Sequence, residues 1–140
     1  MTDLELAINR LAGHTLVLCR DGDVIVSDER GVAPMVGFLR EGRQLSGYSA
    51  ADRVIGKAAA MLLVKAGVRE VYAYIMSKSA VAVLTAHGVP FSYGKLTDRV
   101  MNRDNTGLCP MESTVSVTDD VDTGVEMIFR KLDELRAGRK

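Results

Sequence analysis

The sequence predicts an α/β protein, with a mixed sheet of four to five strands sandwiched by helices. Three observations carry this. Residues 15–20 and 23–27 are two strand-like runs joined by Asp21-Gly22, a strong hairpin signal. Residues 69–76 form a third run around Val71, Tyr72, Tyr74 and Ile75, set between two helical stretches, which favours a parallel βαβ-like unit. Residues 121–135 place Val121, Val125, Ile128, Phe129, Leu132 and Leu135 on one helical face.

Taken in order, residues 3–11 form a short amphipathic helix with Leu4, Ile8 and Leu11 on one stripe, stopped by Gly13. In the hairpin Leu16 and Leu18 point one way, Val17 and Cys19 the other; both sets are apolar, so the sheet is expected to be covered on both faces. Cys19 reads as a small core residue there. Residues 32–40 form a second short helix with Pro34 in its first turn, and 42–48 a loop. Residues 49–67 read as one largely buried helix, with Ser49 and Asp52 as its start pattern and Gly67 as its left-handed stop. After the strand at 69–76, Ser77-Lys78-Ser79 opens a helix to about His87, with Gly88 as its stop. A short strand at 89–93 follows, then a turn or short helix over 96–101 and a polar loop over 102–107. Cys109-Pro110-Met111-Glu112 begins a short helix, although 114–118 alternates like a strand.

A length of 140 residues suits a single domain spanning 1–140. The formal net charge is zero and the basic residues are scattered, which argues against a nucleic-acid partner. No apolar run approaches the roughly 20 residues that span a bilayer, so no membrane association is expected. The N-terminus lacks the basic-then-apolar form of a signal peptide, and two distant cysteines make no disulfide framework; a cytoplasmic location is the expectation. An exposed helix face leaves room for a homo-oligomer.

Cys109 is the sharpest chemical candidate. Proline favours the first helical position, which puts Cys109 at the N-cap, where the positive helix end turns a thiol into a better nucleophile. Thr106 lets the preceding backbone turn closely, Arg103 adds positive charge, and Glu112 would cap the Cys109 N–H or act as an acid or base. The plainer reading is a half-buried loop cysteine. Asp52 and Lys57 form a second candidate at the start of the expected central helix. Arg53 and Lys57, four apart, would repel there unless an anion or carboxylate separates them. The plainer reading makes Asp52 a cap and Lys57 a stem lying over apolar surface. Ser77, Lys78 and Ser79, at a strand-to-helix junction, could hold an anion or simply cap a helix. Asn102 and Arg103 would orient a ligand or be solvated. His14 and His87 lack ligand-spaced partners and read as structural. There is no phosphate loop, G-x-S-x-G or C-x-x-C, and no convincing zinc set, so no metal and no cofactor are expected.

Residues 52–60 (Asp-Arg-Val-Ile-Gly-Lys-Ala-Ala-Ala), Asn102-Arg103 and 106–112 (Thr-Gly-Leu-Cys-Pro-Met-Glu) together resemble an uncharacterised prokaryotic family, domain of unknown function eighteen ninety-three. The resemblance runs over nearly the whole chain and implies a cytidine-deaminase-like fold, a three-layer α/β/α sandwich. True zinc deaminases carry His-x-Glu or Cys-x-Glu at the start of the central helix and Pro-Cys-x-x-Cys at the next. Here those places hold the Asp52–Lys57 region and Ser77-Lys78-Ser79-Ala80-Val81, so zinc-activated water attack is not carried over. The resemblance implies a pocket where the two helix starts meet, with the Cys109 loop closing over it. The expected function is a zinc-independent enzyme acting on a small polar or nucleotide-like ligand: Cys109 as nucleophile, Lys57 holding an anion, and Asp52 or Glu112 moving protons. The alternative is a non-catalytic small-ligand-binding or regulatory module on the same fold.

Overall fold

The computed structural model describes residues 1–101, 107 and 109–138. The elements run α1 (Asp3–Arg10), β1 (Leu16–Arg20), β2 (Asp23–Ser27), α2 (Ala33–Arg40), β3 (Ser49–Ile55), α3 (Lys57–Ala66), β4 (Glu70–Ser77), α4 (Lys78–Ala86), β5 (Phe91–Thr97), α5 (Pro110–Val115) and α6 (Val121–Ala137). The five strands form one mixed sheet in the order β2-β1-β3-β4-β5. β1 is antiparallel to β2 and β3, while β3, β4 and β5 run parallel. The α/β expectation with four to five strands therefore holds at the level of a five-stranded mixed sheet with helices.

The hairpin forms as the Asp21-Gly22 pair dictates. Both residues take positive φ, 48° and 87°, which turns β1 into β2 with Arg20 opposite Asp23. The alternation in β1 divides the interior. Val17 and Cys19 join Ala7 and Leu11 of the α1 region and Ala51 in a small core on one face. Leu16 and Leu18 face the larger core, shared with α2 to α6. In that core Met61, Leu62 and Leu63 of α3 are fully buried, each contributing roughly 1.5–3 kcal/mol. Gly124 lets α6 lie close on α3, because a side chain there would overlap the Met61 sulfur. Arg40 ties α2 to α6 through a two-pronged ion pair with Asp133 at 2.8 and 2.9 Å, its guanidinium lying over Phe129.

The expected single helix over 49–67 is corrected. Residues Ser49–Ile55 are the central strand β3, and only Lys57–Ala66 is helical. Helical spacing of Val54, Ile55, Ala58 and Ala59 coexists with a strand because β3 has a partner on each edge and Ala50 and Ala51 fill opposite faces of the sheet. Ser49 does not cap a helix; its hydroxyl donates to Glu70 on β4 at 2.7 Å. The N-cap of α3 is Gly56, in extended backbone, while Gly67 ends the helix at φ 78° as expected. β5 extends to Thr97 rather than ending at 93, since β4 offers it partners as far as Ser77. Residues 114 and 115 belong to helix α5, not to a strand.

Candidate functional site

The parallel strands β3, β4 and β5 end on one rim of the sheet, where α3 and α4 begin. Ligands of open α/β sheets bind outside such strand ends. The chain passes from β3 to α3 through Gly56 alone, so Lys57 is the first residue of α3. Its first free backbone N–H groups are met by a carboxylate from another helix. Glu112 Oε1 accepts from Lys57 N–H at 2.7 Å, and Oε2 from Ala58 N–H at 2.8 Å. Glu112 is buried, and its charge sits at the positive end of α3. A side chain at position 56 would overlap that carboxyl, so glycine is required there. The expected Glu112 cap of the Cys109 N–H is thereby corrected. Both Glu112 oxygens are taken by α3, and the Cys109 N–H donates to Val100 O at 3.0 Å.

The Lys57 side chain leaves this start in another direction. It is only 12% exposed, and its amine pairs at 2.9 Å with Asp119, which is 98% exposed. Lys57 and Ser79 together line two hollows of about 290 Å³ each, one reaching His87 and Asp119, the other Asp98, Arg99, Glu112 and Ser116. Ser77 is buried and caps α4, accepting from Ala80 N–H at 3.1 Å and lying 3.0 Å from the Ser79 hydroxyl. Lys78 pairs with Asp98 at 2.8 Å, which raises the amine's pKa and lowers the carboxyl's. Of the expected ligand-binding residues, Ser79 faces the hollows, Ser77 is occupied as a cap and Lys78 is held in a surface pair. Asn102, Arg103 and Thr106 lie outside the described residues.

Asp52 is in mid-strand, not in a helix turn, and Arg53 does not share a helix face with Lys57. The Arg53 backbone N–H donates to Thr15 O at 3.3 Å and its Nε to His14 O at 2.6 Å. Asp52 is half-buried and lines a separate cavity of about 250 Å³ with Arg30, Arg53 and Thr15. Loss of water around its carboxyl pushes its pKa up to about 7, against the backbone N–H groups of Arg53 and Val54 and the nearby Arg53 guanidinium. Cys109 is the N-cap of α5, as its proline neighbour requires, and is half-buried. It lines a third cavity, of about 470 Å³, which shares Arg30 and Gly31 with the Asp52 cavity and contains neither Asp52 nor Lys57. The trio Asp52, Lys57 and Cys109 is therefore spread over different hollows, with Asp52 and Cys109 on adjoining ones.

A family profile described as a domain of unknown function (DUF1893), TM1506, matches residues 7–132. The chain belongs to that family. A solved structure of a DUF1893 family protein, TM1506 from Thermotoga maritima at 2.70 Å resolution, superimposes with a TM-score of 0.83 at 26% identity, covering 94% of this chain and 91% of that one. No curated protein matches.

This DUF1893 protein also places residues at the rim that sequence reasoning passed over. Asp119 and Ser116 come from the turn between α5 and α6, and Arg99 from the end of β5. His87, read as structural, lines one hollow. His14 pairs with Asp28 at 2.6 Å, in keeping with a structural role. Arg30 lies in the turn between β2 and α2, and nothing in its neighbourhood in the sequence marks it. Among the described residues of this family member no group of three or more His, Cys, Asp or Glu side chains could hold a metal, and no helix is long and apolar enough to cross a membrane.

Proposed function

We propose that this DUF1893 protein binds a small, polar, anion-bearing molecule at the starts of α3 and α4, on a scaffold like that of the cytidine deaminases but independent of zinc. The observation that carries the reading is Lys57. A largely buried lysine side chain that lines two hollows and, among the described residues, pairs with a nearly fully exposed aspartate is charge kept for a stronger partner. Asp119 is nearly fully exposed and returns to water readily, so an anion from solution displaces it at small cost. Ser79 adds a hydroxyl and Arg99 a second cation on the same wall. The start of α3 itself does not receive the ligand's charge, because Glu112 fills it. The helix starts offer Gly56, Lys57, Lys78 and Ser79, a donor set that does not suit zinc. A nucleotide-like ligand is the expectation by likeness of fold.

Binding of 5′-nucleoside monophosphates and of inorganic phosphate, followed by calorimetry, tests this. Wild type is expected to bind at least one of them, and Lys57→Met to weaken that binding tenfold or more while its melting temperature stays near that of wild type. Equal affinity in the two proteins, or no binding by either, sinks the reading.

A second reading, a zinc-independent cysteine-dependent enzyme, is favoured by the adjoining cavities of Asp52 and Cys109. In it Cys109 attacks and Asp52 moves the proton, with Lys57 outside the reacting centre. Alkylation of Cys109 in a Cys19→Ser background, measured against pH, tests it. Reactivity persisting below neutral pH and altered in Asp52→Asn supports it; an ordinary thiol profile, unchanged in that variant, removes it.

A further inference from the structure

The Asp52 cavity stands on the rim apart from the Lys57 hollows, and its parts are arranged with some care. Thr15, just before β1, has its hydroxyl within donating distance of Ser27 O at 2.9 Å and of Glu29 O at 2.6 Å, which ties down the segment leading to Arg30. Among the described residues Arg30 has no acidic partner within ion-pair distance, so its guanidinium is available at the cavity wall. Arg53 is anchored by its Nε, which donates to the His14 carbonyl at 2.6 Å. Asp52 itself is poorly satisfied. Its donors are the Val54 N–H, at a long 3.4 Å, and the Arg53 N–H, which already donates to Thr15 O, and among the described residues no cation makes an ion pair with it. On β1 and β4 the residues opposite Asp52 are Leu16 and Ala73, which bring no ionisable group; the Arg53 guanidinium is the nearby charge, and Arg30 lines the same cavity. A half-buried carboxyl with so little compensation is costly unless something supplies the missing donor.

We propose that this cavity is a second binding site, taking a small amino-carboxylate-like molecule whose anionic end pairs with Arg30 and whose N–H end donates to Asp52. At about 250 Å³ the space suits a molecule the size of an amino acid rather than a nucleotide. Arg30 offers the planar fork that carboxylates match. An ammonium ligand requires Asp52 ionised, and the carboxyl's pKa of about 7 makes that conditional on pH. Affinity therefore rises as pH increases through neutrality, by about tenfold between pH 6 and pH 8, and binding at pH 6 releases a proton.

The probes are a series of ω-amino carboxylates from glycine to 5-aminopentanoate, titrated into ¹⁵N-labelled protein at pH 6 and pH 8. The expected result is one preferred chain length, amide shifts centred on Arg30, Gly31 and residues 52–54, and the tenfold gain at the higher pH. Asp52→Asn is expected to abolish the pH dependence, and Arg30→Met to weaken binding at least tenfold, both with well-dispersed spectra. No shifts at these amides with any member of the series overturns the proposal, as does binding that is indifferent to pH. Shifts gathered at Lys57 and Ser79 instead also overturn it and leave the Lys57 reading standing.

Discussion

Two carboxylates stand on the same rim of the sheet, and their surroundings set them apart. Glu112 reaches from α5 into the start of α3, and each of its oxygens accepts a short bond from a backbone N–H. Asp52 sits on the central strand with the Arg53 and Val54 N–H groups as its donors, the latter at a long 3.4 Å, and a cavity in front of it. Glu112 is the more thoroughly buried, yet it is the one whose charge is compensated, by the helix end and two donors. Asp52 loses water around its carboxyl and has only the backbone N–H groups of Arg53 and Val54 and the nearby Arg53 charge against that loss, so its pKa is pushed up to about 7. Hydrogen-bond partners as well as burial separate the acid built into a helix start from the acid that faces a cavity.

The sharpest way to break this contrast is to remove Glu112. Glu112→Ala leaves two N–H groups at the start of α3 without a partner, one buried and one partly buried, and a loss of about 2–4 kcal/mol is expected in chemical denaturation. Glu112→Gln keeps an acceptor and should lose roughly half as much. A loss within experimental error for both would place Glu112 among dispensable surface acids.

Asp52 is expected to behave in the opposite sense. Its folded pKa lies above the ordinary value of 3.8, so between about pH 4 and pH 7 the folded state holds more protons than the unfolded one. Stability from this group is fully present below pH 4 and declines as pH rises through 7. The gap in pKa corresponds to about 4 kcal/mol at most. Water entering the cavity lowers the expected amplitude to about 1–3 kcal/mol. Asp52→Asn should flatten that part of the stability–pH curve and leave the protein more stable at pH 8. A wild-type curve without the decline would contradict the assignment.

The smallest effect sharpens the comparison by coupling. Gly56→Ala pushes a methyl into the Glu112 carboxyl and is expected to cost about 1–3 kcal/mol. In a Glu112→Ala background the same change should cost well under half of that. Additive losses in the double variant would show that Gly56 answers to something other than Glu112.

Much of the architecture was legible because local rules and global fold agree there. The Asp21-Gly22 turn, the two-faced alternation of β1, the Gly67 stop and the Ser77 cap each need only their near neighbours in the chain. The proline after Cys109 likewise placed that cysteine at a helix start. The stretch over 49–55 was misread because alanines satisfy a helical pattern and a central strand equally well. What made it a strand was β1 on one edge and β4 on the other, partners distant in the sequence. That shift of one element changed the site. It moved Asp52 and Arg53 off the first turn of a helix and left Lys57 alone at the start of α3.

The sequence by itself determined the mixed α/β character, the turns and caps, and the candidate residues Asp52, Lys57, Cys109 and Glu112. Those features depend on backbone preference and side-chain period, which act over a few residues. Only the tertiary structure decided that Glu112 belongs to α3, fifty-five positions from its Lys57 partner, that Asp52 shares a cavity with Arg30, and that Lys57 and Cys109 open onto different hollows. Those relations depend on which rim of the sheet each loop returns to, and on how little water is left around each charge once it has.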